Sequence, residues 1–356
     1  MSRIDLDDAN VYSKLDPSNM LRHLHDIPVL CQQTWEQVRE STLPTHYQLI
    51  NKVVVLGMGG SAIGGDLLSS LIARECHVPI IVCREYVAPA FIDEQTLVIA
   101  SSYSGTTEET LSAFKPLINQ NCKKLVMSSG GELSSLAKKH GIPLFNLDYK
   151  CPPRAALYIS FLSLLCIFTK LNLIRDYSLD LAETCALLRE SATRIAEIIP
   201  QKTNPAKQLA SRLHEKMVVI YGAEHLFGAA ERWRLQINEN SKSWAFCASF
   251  PELNHNSTTG YEVPKVISQN THVVMLRSSL LHPRVMLRYS ITEHILDQSN
   301  VQHTIVEAEG QSKLAQLVGL MHYSDYVSYF LSLLYEIDPY PINSVYYLKA
   351  ELAKNG

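Results

Sequence analysis

The sequence predicts an α/β fold of two doubly wound parallel-sheet domains with helical extensions. Three observations carry that prediction. Short apolar runs recur along the chain, each closed by glycine or polar residues and each followed by helical spacing. The runs are apolar at consecutive positions, as in Val53-Val54-Val55-Leu56. That is the pattern of strands covered on both faces, and hence of a parallel sheet between helix layers. The alternation stops for a helical stretch at 155–200 and then resumes. A length of 356 residues suits two such units.

Taken in order, residues 1–50 predict one or two helices, with a turn at Asp16-Pro17 and helical spacing from Met20 to Arg39. Strands are predicted at Val53–Leu56, Ile80–Cys83, Leu97–Ala100, Leu125–Ser128 and Pro143–Asn146. Helices fall between them at Ile63–Ala73, Thr110–Asn119 and Ser134–His140. After the helical stretch, breaks at Ile199-Pro200 and Asn204-Pro205 precede a second alternation. It comprises a strand at Met217–Tyr221, a helix around Ala229–Ile237, and strands at Ser243–Phe246, His272–Leu276 and His303–Val306. The carboxyl-terminal part is helical again, interrupted at Asp338-Pro339-Tyr340-Pro341. The expected division is an amino-terminal domain at 1–150, a helical connection at 151–210 and a carboxyl-terminal domain at 211–356.

The two alternations echo each other. Val53-Val54-Val55-Leu56-Gly57 aligns without gaps on Val218-Val219-Ile220-Tyr221-Gly222, and in the same register Asp66 falls on Glu231. Gly59, Gly60 and Ser61 fall on Glu224, His225 and Leu226, so only the first unit carries a glycine-serine loop.

Composition removes several classes of function. Lys and Arg total 32 against 35 Asp and Glu, and no basic run stands out, which argues against a large nucleic-acid footprint. The eight cysteines form no CxxC pair and no zinc spacing. Cys83 and Cys166 sit inside apolar runs, and a reducing cytoplasm is the expected compartment. The amino terminus, Met1 to Asp8, is polar and acidic, unlike a signal peptide. Ala155 to Phe168 is nearly continuous in apolar residues. It is too short to span a bilayer and reads as a buried core helix.

Two segments carry chemistry. Gly57-Met58-Gly59-Gly60-Ser61 follows one strand, and Ser101-Ser102-Tyr103-Ser104-Gly105-Thr106-Thr107 follows another; each opens a helical run. Backbone N–H groups and small hydroxyls at such a turn suit a phosphate dianion. The first loop also fits a dinucleotide fingerprint loosely, with Glu85 as a late acidic partner after Arg84. The second fits an ordinary capping box from Thr106 to Glu109. Capping needs one hydroxyl rather than four, which favours the phosphate reading. Arg154 stands at the mouth of the helix at 155–168. A cation there opposes the helix dipole by a few tenths to about one kcal/mol, which favours a ligand role.

These segments resemble the sugar-isomerase (SIS) domain, a phosphosugar-binding module of flavodoxin-like topology. Pro152-Pro153-Arg154, Asn238-Glu239-Asn240-Ser241-Lys242, Pro251-Glu252-Leu253-Asn254-His255-Asn256 and the late Asp338-Pro339 with Leu348-Lys349 resemble the bifunctional phosphoglucose/phosphomannose isomerases. The likeness runs over nearly the whole chain in the right order. It implies an aldose–ketose isomerase that interconverts glucose 6-phosphate and fructose 6-phosphate, with mannose 6-phosphate as a further substrate. Ser61, Ser102, Ser104 and Thr107 would hold the phosphate, with the N–H groups of Gly59 and Gly60.

Glu239 would move the proton between C2 and C1, His255 with Lys349 would open the ring, and Arg154 would stabilise the enediolate oxygen. Neither cofactor nor metal is implied. The resemblance also implies a homodimer in which His255 acts on the partner's site, with no nucleic-acid or membrane partner. Read as a residue alone, Glu239 between two amides is either a base positioned without a nearby cation or a helix-end glutamate on the surface. On residue type alone His255 reads as a loop histidine in water, and Lys349 as a solvated lysine favoured by the helix dipole. In relatives a small hydroxyl residue near the late Asp-Pro segment serves tolerance of the C2 epimer. The stretch here, Tyr340-Pro341-Ile342-Asn343-Ser344, has no threonine. The alternatives are an aminosugar-phosphate isomerase, a phosphosugar-sensing regulator and a dinucleotide-binding dehydrogenase.

Overall fold

A computed structural model describes residues 4–354; the first three residues of the acidic amino-terminal segment lie outside it. Two helices open the chain, α1 (Ala9–Leu15) and α2 (Met20–Glu40). The first sheet is built from β1 (Lys52–Leu56), β2 (Ile80–Cys83), β3 (Thr96–Ser101), β4 (Lys123–Ser128) and β5 (Leu144–Asn146). Between them run α3 (Gly60–Ile72), α4 (Glu108–Phe114) and α5 (Gly131–Lys139). All five strands are parallel, in the order β2-β1-β3-β4-β5.

Three helices make the connection, α6 (Leu157–Lys170), α7 (Ser178–Ile195) and α8 (Pro205–Leu213). The second sheet holds β6 (Met217–Ala223), β7 (Ala245–Phe250), β8 (Thr271–Arg277) and β9 (Gln302–Glu307). Its helices are α9 (Phe227–Asn240), α10 (Lys265–Gln269) and α11 (Pro283–Gln298). The strands are parallel in the order β7-β6-β8-β9, the arrangement of the first sheet with one strand fewer. The chain ends in α12 (Lys313–Leu334) and α13 (Asn343–Lys354).

The echo in sequence is an echo in place. β1 and β6 each stand second in their sheet, and Asp66 on α3 and Glu231 on α9 line one cleft of about 680 Å³. One hydrophobic core runs from α2 through α6 to α12 and takes in side chains of both sheets. α6 and α12 are buried on nearly every face because helices surround them: α6 packs on α2 and α3, and α12 on α7, α8 and α9. The segment Pro153–Lys170 is long and apolar enough to cross a membrane, but 83% of it is buried inside the fold. It is a core helix, as the sequence predicts.

Of the elements that differ from expectation, two have a plain physical cause. The helix expected over Thr110–Asn119 ends at Phe114 and continues as a 3₁₀ turn, Lys115–Asn119. Pro116 has no N–H to give the α-helical ladder and its ring crowds the preceding turn. The strand expected at Ser243–Phe246 begins at Ala245 and runs to Phe250. Lys242 turns through a left-handed φ of 51° before it. The half-buried, small Cys247-Ala248-Ser249 on this edge strand gives little apolar signal.

Candidate active site

The first loop leaves β1 through a tight glycine turn. A Cβ on Gly57 would stand 3.1 Å from the Ser101 carbonyl oxygen, and Gly59 takes a φ of 49°. α3 therefore starts at Gly60 with its first N–H groups facing the loop, and no side chain caps it. The Ser61 hydroxyl accepts from the Tyr103 N–H at 3.2 Å, which ties this loop to the one after β3.

In the second loop the Ser102 hydroxyl accepts from the Gly105 N–H (3.1 Å) and pairs with the Thr107 hydroxyl (2.8 Å). Ser104 accepts from both the N–H and the hydroxyl of Thr106. The Thr106–Glu109 capping box does not form. α4 begins at Glu108, its N-cap is Thr107, and the Thr107 hydroxyl bonds Ser102 instead of the helix. The loop is braced from behind. Gly105, at φ 67°, lies so close to Gly130 that no side chain fits. Ser129 donates to the Tyr103 carbonyl through both its N–H and its hydroxyl. Ser61, Ser102, Ser104 and Thr107, with Gly59 and Gly60, thus come from two adjoining loops at the carboxyl ends of β1 and β3, as the sequence predicts.

Arg154 lies on a 3₁₀ turn, Pro153–Ala156, that leads into α6. The turn packs on the first loop: a Cβ on Gly60 would stand 3.2 Å from the Pro153 carbonyl oxygen. Arg154 is only 2% exposed. Its Nε donates to Asn240 Oδ1 (2.7 Å), and its Nη2 to the carbonyls of Pro339 (2.7 Å) and Tyr340 (2.8 Å). Asn240 is in turn anchored by donating to the Ser328 hydroxyl of α12. Nη1 is buried without a hydrogen-bond partner among the described residues and stands 4.0 Å from Glu239 Oε2. Burial pushes the guanidinium pKa down, and the Glu239 charge works against that shift.

Glu239 sits inside the last turn of α9 rather than after it. The sequence reading of a carboxylate between two amides and clear of cations is corrected here. Neighbours on a helix point about 100° apart, so the flanking asparagines turn elsewhere. Asn238 bonds the backbone of Ala245 and Asn240 bonds Arg154. The group that faces Glu239 is the Arg154 cation. Glu239 lines a cavity of about 570 Å³ with Asn238, Lys242, Asp338, Asn343 and Ser344. Partial burial, with Arg154 close by, pushes the Lys242 ammonium down to about 8.

Of the predicted residues Glu239 alone lines this cavity; Arg154 adjoins Glu239 and its turn adjoins the glycine-serine loop, while His255 and Lys349 stand apart. His255 lies on an exposed 3₁₀ turn, Glu252–His255, beyond the carboxyl end of β7. Asn238 holds Ala245 at the amino end of that strand. Six strand residues, about 17 Å of chain, therefore separate the surroundings of Glu239 from those of His255. Lys349 is exposed on α13, a helix with no buried residue, which also shows Tyr346, Tyr347 and Leu348 to solvent. Residue types alone give no role to Lys242 or Ser344, and give Asn240 only that of an amide beside Glu239. A signal for Lys242 and Asn240 was present, since both stand in the Asn-Glu-Asn-Ser-Lys segment.

Residues 202–352 match the family described as the bacterial phospho-glucose isomerase C-terminal SIS domain. The bifunctional phosphoglucose/phosphomannose isomerase of Caldicellulosiruptor bescii is 39% identical over 336 residues, which cover 94% of this chain and 99% of that protein. The one from Aquifex aeolicus is 34% identical over 326 residues, 91% of this chain and 96% of its own length. Among solved structures, a hypothetical protein from Thermus thermophilus superposes with a TM-score of 0.75 at 17% identity. The match covers 97% of this chain and 92% of that one. The C-terminal domain of glucosamine-fructose-6-phosphate aminotransferase from Francisella tularensis gives a TM-score of 0.70 at 16% identity, over 90% and 98%. These two likenesses speak to the fold. Two parallel sheets in this strand order, with a hydroxyl cup at the head of the first, define a SIS-domain protein of the phosphosugar-isomerase class. Within that class the chain belongs to the bifunctional phosphoglucose/phosphomannose isomerase family and is an isomerase.

Proposed function

We propose that this chain interconverts glucose 6-phosphate and fructose 6-phosphate, and mannose 6-phosphate with fructose 6-phosphate, through an enediolate. The observation that carries the reading is the free Arg154 Nη1 facing the Glu239 carboxylate at 4.0 Å, on a turn packed against the glycine-serine loop. Phosphate seated on Ser61, Ser102, Ser104, Thr107 and the N–H groups of Gly59 and Gly60 leaves the sugar to extend past Pro153 toward that pair. Glu239 takes the proton from C2 of the open-chain aldose and returns it to C1. Arg154 lies ready for the charge that develops on oxygen, and its other nitrogens are already bonded, so little reorganisation is needed. Phosphate binding remote from the reacting carbons serves orientation.

Ring opening falls to His255 and Lys349. With His255 at the far end of β7 from its own Glu239, the reading is a homodimer in which each His255 serves the partner's cavity. The hydroxyl that tolerates either C2 epimer is assigned to Ser344, which lines the cavity at the start of α13. Ser344→Ala is expected to lower turnover of mannose 6-phosphate more than that of glucose 6-phosphate; an equal loss on both would take this role from Ser344. The eight free cysteines fit a cytoplasmic enzyme. The division into 1–150, 151–210 and 211–356 places each sheet in its own domain.

The experiment is direct. Purified protein is given fructose 6-phosphate, and formation of glucose 6-phosphate and mannose 6-phosphate is followed separately. Both are expected. Tight binding without either product would turn the reading to a phosphosugar sensor.

A further inference from the structure

Lys242 lines the same cavity as Glu239. Its ammonium donates to four backbone carbonyls: Glu239 (2.8 Å), Pro339 (3.0 Å), Asp338 (3.1 Å) and Asn240 (3.2 Å). An ammonium has three N–H donors, so these carbonyls use all of its donors and none is left for a sugar. Two of the carbonyls are the unpaired ones at the carboxyl end of α9. Lys242 reaches back to them because its φ is 51°. A lysine that only closed the helix would be satisfied there. The other two belong to a segment 96 and 97 residues further along the chain, between α12 and α13.

That segment is also what Arg154 holds. The Pro339 carbonyl accepts from Arg154 Nη2 at 2.7 Å and from Lys242 at 3.0 Å. Asn240, whose carbonyl Lys242 holds, accepts from Arg154 Nε through its side chain. Lys242 therefore joins the backbone of the Glu239 turn to the backbone that aims the guanidinium. We propose that Lys242 is a positioning residue of this isomerase, clamping Asp338-Pro339 to the end of α9 so that Arg154 and Glu239 keep their separation. The proposal rests on the roles given above to that pair. If the clamp is released, the Pro339 and Tyr340 carbonyls shift and the guanidinium follows them. A misplacement of about 1 Å can cost about 10²-fold in rate.

The test compares Lys242→Met and Lys242→Arg with wild type in two measurements. The first is steady-state conversion of fructose 6-phosphate. The Met variant is expected to lose about 10–100-fold in kcat with KM changed by less than about threefold, because the phosphate loops lie elsewhere. The Arg variant, which still offers several donors, recovers most of the loss. The second is hydrogen–deuterium exchange of the peptide 335–345, which reads the clamp without any turnover. The Met variant is expected to exchange faster there and the Arg variant close to wild type.

A Met variant with wild-type kcat, a loss confined to KM, no recovery with Arg, or unchanged exchange would each overturn the proposal. If wild type itself converted no sugar, the isomerase reading would fall, and the exchange measurement would still decide the clamp.

Discussion

Arg154 points a buried nitrogen, which has no hydrogen-bond partner among the described residues, at the Glu239 carboxylate from 4.0 Å. At that distance the two are close enough to feel each other's charge but do not form a closed hydrogen-bonded pair. Glu239 thus keeps its lone pairs for a proton on carbon, and Arg154 keeps a donor for the oxygen beside it. Glu239→Gln preserves the size of the side chain and removes the base. It is expected to bind fructose 6-phosphate within about threefold of wild type and to lose about 10²–10⁴-fold in kcat. Binding by calorimetry and turnover by product assay separate the two effects. A near-normal kcat would place the base elsewhere.

The phosphate loops give a second expectation. Ser104 is exposed, and its hydroxyl only accepts from Thr106 within the protein, so its own proton remains for a ligand. A hydrogen bond to a charged group contributes about 1.5–3 kcal/mol. Ser104→Ala is therefore expected to raise KM for fructose 6-phosphate about 10–100-fold, with thermal stability unchanged. Ser102 differs, because its hydroxyl also accepts from the Gly105 N–H and supports the loop. Unphosphorylated glucose is expected to turn over very poorly in wild type. A kcat/KM for glucose comparable to that for glucose 6-phosphate would sink the phosphate cup.

Much of this site is readable in the chain, and the reason is locality. Four consecutive buried residues, Val53–Leu56, announce β1, and a loop of glycine and serine directly after it can be recognised without knowing the rest of the fold. Only the start of β7 is legible, because beyond Phe246 it continues through half-buried Cys247, Ala248 and Ser249, which lack the apolar run. Glu239 and Arg154 can each be singled out by their motifs. That they face each other is not legible, since 85 positions separate them and only the packing of α6, α9 and α12 closes the gap. The same holds for Lys242, whose distant partners are carbonyl groups, and any residue there would supply a carbonyl. The displacement of His255 from Glu239 follows from strand direction, which residue types do not state.

Three buried histidines set an acid limit on stability. His225, His272 and His322 are each pushed down to about 4, chiefly by burial. An unfolded histidine takes its proton near 6.5. Between pH 6.5 and 4 the unfolded chain therefore binds more protons than the folded one. Stability is full above that window and falls as the pH drops through it. For His322 alone, moving from pH 7.5 to 5 is worth about 2 kcal/mol by this linkage. His322 is 1% exposed, and its burial outweighs the opposing hydrogen bond with the Leu24 backbone. His322→Leu is expected to narrow the gap between the melting temperatures at pH 7.5 and pH 5. An unchanged gap would mean that His322 is already protonated in the fold, or is never protonated in the unfolded chain.

Subunit mixing addresses the separation of His255 from Glu239. Within one chain, β7 stands between them, with Asn238 fastened to its first residue and His255 on the turn after its last. If each His255 serves the partner's cavity, Glu239→Gln and His255→Ala are each inactive alone. A mixed dimer then has one site with both defects and one with neither. Random exchange makes about half of the dimers mixed, each with one working site, so about a quarter of wild-type activity is expected to return. If instead His255 serves its own chain, every site in the mixture carries one defect and nothing returns. The two outcomes differ without any assumption about how much rate either residue contributes. That makes mixing a sharper test than either variant alone, because a single loss of activity at His255 would look the same from either side of the interface.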